Sequence, residues 1–110
     1  MNNWTLWKSM PSPADCRKIE GPEGPGIYQI RNKLSGQFIQ FGIGIRCQYR
    51  MKSLFPKPFG TGTRNNEDKR KYLLQNWQLL EFRTMATNTR EEAKTIEDGI
   101  KAQNNHLFNT

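Results

Sequence analysis

Residues 26–44 read GIYQIRNKLSGQFIQFGIG, and the turn residues in their middle decide the fold. The runs 26–32 and 37–43 are rich in β-branched and aromatic side chains, and Lys33, Leu34, Ser35 and Gly36 between them supply turn chemistry. The pattern predicts a β-hairpin. Strand side chains alternate, so Tyr28, Ile30 and Asn32 share one face while Ile27, Gln29 and Arg31 share the other. Phe38, Gln40 and Gly42 alternate in the same way with Ile39, Phe41 and Ile43. Apolar residues on both faces imply a sheet covered on both sides by helices. Gly42 and Gly44 mark a place where the backbone bends or something approaches closely.

Outward from the hairpin, residues 46–55 predict a helix whose buried stripe is Cys47, Met51, Leu54 and Phe55. Arg46, Arg50 and Ser53 form the neighbouring stripe, which would turn two guanidinium groups toward one groove. Pro56 and Pro58 end that helix, and FGTGTRNN over 59–66 reads as a loop in which Asn65 or Asn66 can cap the next helix. That helix runs over 67–76, with Glu67 and Asp68 in its first turn, Tyr72, Leu73 and Leu74 inward, and Lys69, Arg70 and Lys71 on its exposed surface. WQLLEFRT over 77–84 predicts a third strand pairing with the hairpin, although 79–81 could extend the helix before it. Thr89-Arg90-Glu91-Glu92 is a capping-box pattern for a last helix to about Asn104, with Ala93, Ile96 and Ile100 inward. Glu97 borders that buried face, and a carboxylate there needs a partner. The end, HLFNT, reads as an apolar clip against the sheet, with His106 a packing or capping residue.

Residues 1–25 are punctuated by Pro11, Pro13, Gly21, Pro22, Gly24 and Pro25, which predicts an arm laid across a single domain spanning 26–110. Trp4 and Trp7 suit one face of a short helix plugging the core, or stacking on bases. The expected class is therefore α+β, a small three-stranded antiparallel sheet flanked by helices. Mean hydropathy is low, at −0.86. The three Trp, six Phe and three Tyr nonetheless supply buried area for a chain of 110 residues.

Net charge is +7, and the excess lies in the middle: ten basic residues stand against Glu67 and Asp68 between positions 31 and 71. Such a segment favours a polyanion, or simply makes a solvated surface. Cys16 and Cys47 form neither a metal cluster nor a disulfide framework, so a reducing, cytoplasmic setting is expected. No run approaches the ~20 apolar residues of a membrane span.

The hairpin resembles the GIY-YIG nuclease superfamily. Gly26-Ile27-Tyr28 matches the first motif, and Gln40-Phe41-Gly42 falls where the second belongs, with Gln40 in place of its tyrosine. Gly42 followed by Arg50, Glu97 in AKTIEDGIKAQNN, and Phe108-Asn109 are similar to the family's later elements. The resemblance covers residues 24–110 and implies an endonuclease that hydrolyses DNA with Mg²⁺ or Mn²⁺.

Hydrolysing a phosphodiester requires neutralised phosphoryl oxygens, an activated water and a stabilised leaving oxygen. The resemblance implies Glu97 as metal ligand, Arg50 on the scissile phosphate, Tyr28 orienting or deprotonating water, and Asn109 bracing the site. Taken alone, these read as a strand tyrosine, a Glu97–Arg50 ion pair and a terminal cap. As a base, Tyr28 would need a pKa below its usual ~10. Gln40 can hydrogen-bond to water or phosphate but cannot take a proton near neutral pH. The alternative is a catalytically weak or inactive member that binds nucleic acid through Arg46, Lys52, Arg64, Lys69, Arg70 and Lys71. Specificity would come from the 56–66 loop, the arm or a partner protein.

Overall fold

The computed structural model describes residues 3–55 and 67–109. The hairpin forms as expected from strands β2 (Gly26–Asn32) and β3 (Phe38–Gly44). Its turn is held by Asn32, whose Oδ1 accepts from the backbone N–H of Leu34 (2.8 Å) and Ser35 (3.0 Å). Gly36 closes it at φ +75°, a left-handed conformation that glycine adopts without a Cβ clash. Tyr28 stands opposite Gly42 and Ile30 opposite Gln40, and a bulge between Ile30 and Arg31 then shifts the register.

Among the described residues the sheet has four antiparallel strands in the order β1-β4-β2-β3, one more than the sequence suggests. Strand β4 (Leu80–Ala86) pairs with β2 along its whole length. It begins three residues later than the expected 77, because Trp77–Leu79 form a 3₁₀ turn continuing from the preceding helix. The extra strand β1 is only Lys8–Ser9, pairing with β4. Thr5 N–H donates to the Thr84 carbonyl (2.8 Å) and Met10 N–H to that of Leu80 (3.0 Å), so the arm runs along β4 by main-chain bonds. Both β1 side chains are exposed, which leaves no alternating pattern to read.

That pairing also corrects the helix expected around Trp4 and Trp7. Residues 3–7 are irregular, and neither indole joins the main core. The Arg83 guanidinium lies 4.3 Å from the Trp4 ring and 4.6 Å from Trp7, and that of Arg31 lies 4.0 Å from Trp7. These cation–π contacts clamp the arm to the sheet face opposite Tyr28.

Helix α1 is Cys47–Met51, shorter than the expected 46–55. Ser53 Oγ donates to the Arg50 carbonyl (2.7 Å), and the next N–H groups bond three residues back, which tightens the chain out of the helix. The predicted stripe Cys47, Met51, Leu54 and Phe55 is buried all the same. The carbonyls of Gly24 and Pro22 accept from Cys47 N–H (3.0 Å) and Gln48 N–H (2.8 Å), so the Pro/Gly segment caps α1 through its backbone. Helix α2 is Glu67–Asn76, and α3 is Arg90–Gln103. Thr89 Oγ1 accepts from Glu92 N–H (3.1 Å), and Asn104 ends α3 in the left-handed conformation. Pro56, Pro58, Asn65, Asn66 and the 56–66 loop lie outside the described residues.

The main core joins Tyr28, Ile30, Ile39, Leu80 and Phe82 of the sheet to α1, to Leu73 of α2, and to Met10, Cys16 and Ile19 of the arm. Both cysteines are buried free thiols, and burial pushes Cys47 up to about 12, which makes it unreactive. The C-terminal clip forms: Leu107 and Phe108 N–H donate to the carbonyls of Phe38 (3.0 Å) and Ile39 (2.8 Å), covering the free edge of β3. Among the described residues, no helix is long and apolar enough to cross a membrane.

Candidate phosphate-binding cleft

Helices α1, α2 and α3 and the hairpin converge on a cleft of about 560 Å³. The hairpin contributes Tyr28, Gln40 and Gly42; Arg50 and Ser53 come from α1 and the turn after it; Lys69 and Arg70 from α2; Arg90, Glu97 and Lys101 from α3.

The two hairpin glycines have specific spatial roles here. The Tyr28 ring lies across Gly42, where an added Cβ would stand 2.6 Å from the phenol oxygen. A Cβ on Gly44 would stand 3.0 Å from that of Arg50. Bare backbone at these positions lets the tyrosine and the arginine reach the cleft.

Tyr28 is 2% exposed, and Gln40 Nε2 donates toward its hydroxyl at 3.5 Å. Burial raises the phenol pKa, and this outweighs the lowering by the Arg50 charge and the Gln40 contact. A tyrosine acting as base would need the opposite shift; here removing the ring from water costs the phenolate more than one guanidinium returns. Gln40 Oε1 is buried without a hydrogen-bond partner among the described residues.

Arg50 is held by its own turn, with Nη1 donating to Ser53 Oγ at 2.9 Å. Arg70 is not on the exposed surface, as its sequence position suggests, but 7% exposed, with Nε donating to the Ser53 carbonyl at 3.0 Å. Lys69 is half-buried, and desolvation together with the Arg50 charge lowers its pKa. Glu97, with a side chain 17% exposed, pairs with Lys94 Nζ at 3.4 Å and not with Arg50. Lys94 Nζ also reaches Asp98 Oδ1 at 2.6 Å. Five cationic side chains, Arg50, Lys69, Arg70, Arg90 and Lys101, thus face one carboxylate among the described lining residues.

Arg90 and Lys101 are site residues that the sequence reading missed. They stand seven residues before and four after Glu97, both multiples of a helical turn, and that spacing was the available signal. Eleven residues of α3 separate them, about 16 Å at the α-helical rise, so the cationic lining is longer than one phosphate needs.

Other expected residues lie elsewhere. Asn109 Nδ2 donates to the Lys101 carbonyl (2.9 Å), which ties the clip to α3. Asn109 does not line the cleft. Arg46 and Lys52 line a second cavity, with Glu23, Gln48 and Tyr49, so Arg46 and Arg50 do not share a groove. Lys71 is exposed on α2 away from the lining, and Arg64 is outside the described residues. Among the described residues no three His, Cys, Asp or Glu side chains gather as a metal-binding group.

His106 lies apart from this chemistry, among Phe38 (4.9 Å between ring centroids), Phe41 (4.7 Å) and Gln29. Arg83 Nε donates to Gln29 Oε1 (2.8 Å), which turns the Gln29 amide N–H₂ toward His106 Nε2 (3.1 Å). Nε2 must therefore accept, while Nδ1–H donates to Asn105 Oδ1 (2.9 Å). Burial correspondingly lowers the imidazole pKa to about 4.

No family model, curated protein or solved structure matches the chain.

Proposed function

We propose that the protein is a metal-dependent endonuclease of the GIY-YIG kind, hydrolysing DNA phosphodiester bonds in the cleft. The observation that carries this reading is the convergence of Tyr28, Arg50 and Glu97, 69 residues apart in sequence from first to last, on one cation-rich cleft.

Arg50 presents a planar fork suited to two phosphoryl oxygens, and Ser53 holds it in place. Lys69, Arg90 and Lys101 offset the charges of neighbouring phosphates. A hard divalent ion keeps most of its water and takes one or two protein oxygens, so the Glu97 carboxylate on the cleft wall suits one as the protein's donor. Glu97 would hold Mg²⁺ or Mn²⁺, which when bound supplies Lewis-acid stabilisation of the phosphoryl charge. Tyr28, retaining its proton at neutral pH, orients the attacking water or a phosphate oxygen by hydrogen bonding, and Gln40 fixes its hydroxyl.

The same raised phenol pKa, with Gln40 unable to take a proton, favours a second reading in which the cleft binds DNA without cutting it. Incubating supercoiled plasmid and branched DNA with Mg²⁺, Mn²⁺ or EDTA decides between them. Cleavage is expected with metal, absent in EDTA and abolished by Glu97→Ala, while salt-dependent binding survives that substitution. Normal cleavage by Glu97→Ala would remove Glu97 from the mechanism. Tight binding with no cleavage under any metal would establish the second reading.

A further inference from the structure

Two adjacent stripes of the α1 segment face two different cavities. Arg50 and Ser53 face the cleft, whereas Arg46, Tyr49 and Lys52, at steps of three, line a second cavity of about 350 Å³ with Glu23 and Gln48. The Gln48 side chain is occupied structurally, its Oε1 accepting from Gly21 N–H at 3.3 Å. Tyr49 has no such task. It is 61% exposed and lies outside the core, with the Arg46 guanidinium 5.3 Å from its ring.

An aromatic ring open to solvent, steadied by one cation and flanked by another, is the arrangement that stacks a nucleobase while holding its backbone. We infer that the second cavity is a nucleotide subsite, in which Tyr49 stacks the base of an unpaired nucleotide flanking the cleft-bound phosphate and Arg46 and Lys52 take its phosphates. This rests on the proposal that the cleft binds a nucleic-acid phosphate.

The two cavities border adjacent stripes of one short helix, with Tyr49 and Arg50 consecutive in sequence, so a strand whose phosphate lies against Arg50 can continue past Tyr49. Stacking on Tyr49 needs a base free of its pairing partner, so the implied substrate carries a single-stranded or branched segment beside the bond in the cleft. Glu23 can accept from a base's exocyclic amine, which would favour bases that carry one.

Fluorescence anisotropy of the full chain in EDTA tests this, using a labelled single-stranded oligonucleotide and an abasic strand of equal length. Wild type is expected to prefer the base-bearing strand. Tyr49→Ala should weaken binding to that strand about tenfold and leave the abasic strand unchanged, while Tyr49→Phe should match wild type. Equal weakening on both strands, or none on either, would overturn the subsite. Metal-dependent cleavage with no Tyr49-dependent preference would overturn the subsite alone. Absence of cleavage with that preference intact would overturn the nuclease reading and leave the subsite standing.

Discussion

Gly42→Ala places a methyl group where the Tyr28 ring now lies. The new Cβ would meet the phenol oxygen at 2.6 Å and two ring carbons at 2.7 Å. Carbon atoms rest ~3.5–4.0 Å apart, so the ring must withdraw by about 1 Å. Tyr28 is 2% exposed and packed in the main core, where it cannot swing into solvent. Overpacking of this kind costs about 1–3 kcal/mol. Gly42 is not among the positive-φ glycines, so its backbone accommodates alanine, and the lost glycine entropy offsets about 0.5 kcal/mol of the clash. A net destabilisation of about 1–2 kcal/mol should lower Tm by roughly 5–10 °C in a domain of this size. Displacing the phenol by about 1 Å should also slow cleavage on the order of 100-fold. Thermal unfolding followed by circular dichroism, alongside the plasmid assay, measures both. The two ring carbons at 2.7 Å remain in Tyr28→Phe, so Gly42→Ala should cost nearly as much in that background and a double-mutant cycle should show little coupling. Wild-type Tm and rate in Gly42→Ala would refute the idea that Gly42 exists to admit the tyrosine.

Gly99 provides the opposite case, since it lies in α3, is exposed, and a Cβ added there meets nothing within 4 Å. Gly99→Ala should therefore stabilise the protein by about 0.8–1 kcal/mol in urea melts, and a loss of stability would contradict a solvent-facing helical position. His106 predicts the acid behaviour. Its folded pKa of about 4 lies below the 6.5 of the unfolded chain, so the unfolded state binds more protons between those values. Its contribution is complete above pH 6.5 and is lost as pH falls toward 4, by up to about 3 kcal/mol at 1.36 kcal/mol per pH unit. His106→Gln should flatten stability across that window, and an unchanged pH profile would show that the imidazole is not held neutral.

Much of this architecture followed from local pattern. The hairpin, α2 and the capped start of α3 each rest on interactions within a few residues: the Asn32 turn, an acidic first turn, Thr89 on Glu92 N–H. Such signals are complete in a short window of sequence. The same holds for the buried stripe of α1, whose spacing survived although Ser53 ended the helix early. The sequence alone also set the excess of positive charge and the order of Tyr28, Arg50 and Glu97 along the chain.

What only the tertiary structure decided depends on groups distant in sequence. Strand β1 is paired by main-chain atoms, which carry no side-chain signature. Trp4 and Trp7 left the core because Arg31 and Arg83, on strands that meet only in the folded sheet, offered cationic partners. Arg70 is buried because the carbonyl of Ser53, seventeen positions earlier, needed a donor. Arg46 and Arg50, one helical turn apart, serve different cavities because the cleft's other walls, α2 and α3, face only one side of α1. The high pKa of Tyr28 has the same origin. A residue's type sets what it can do, but desolvation, a property of everything packed around it, decides which of its states is populated.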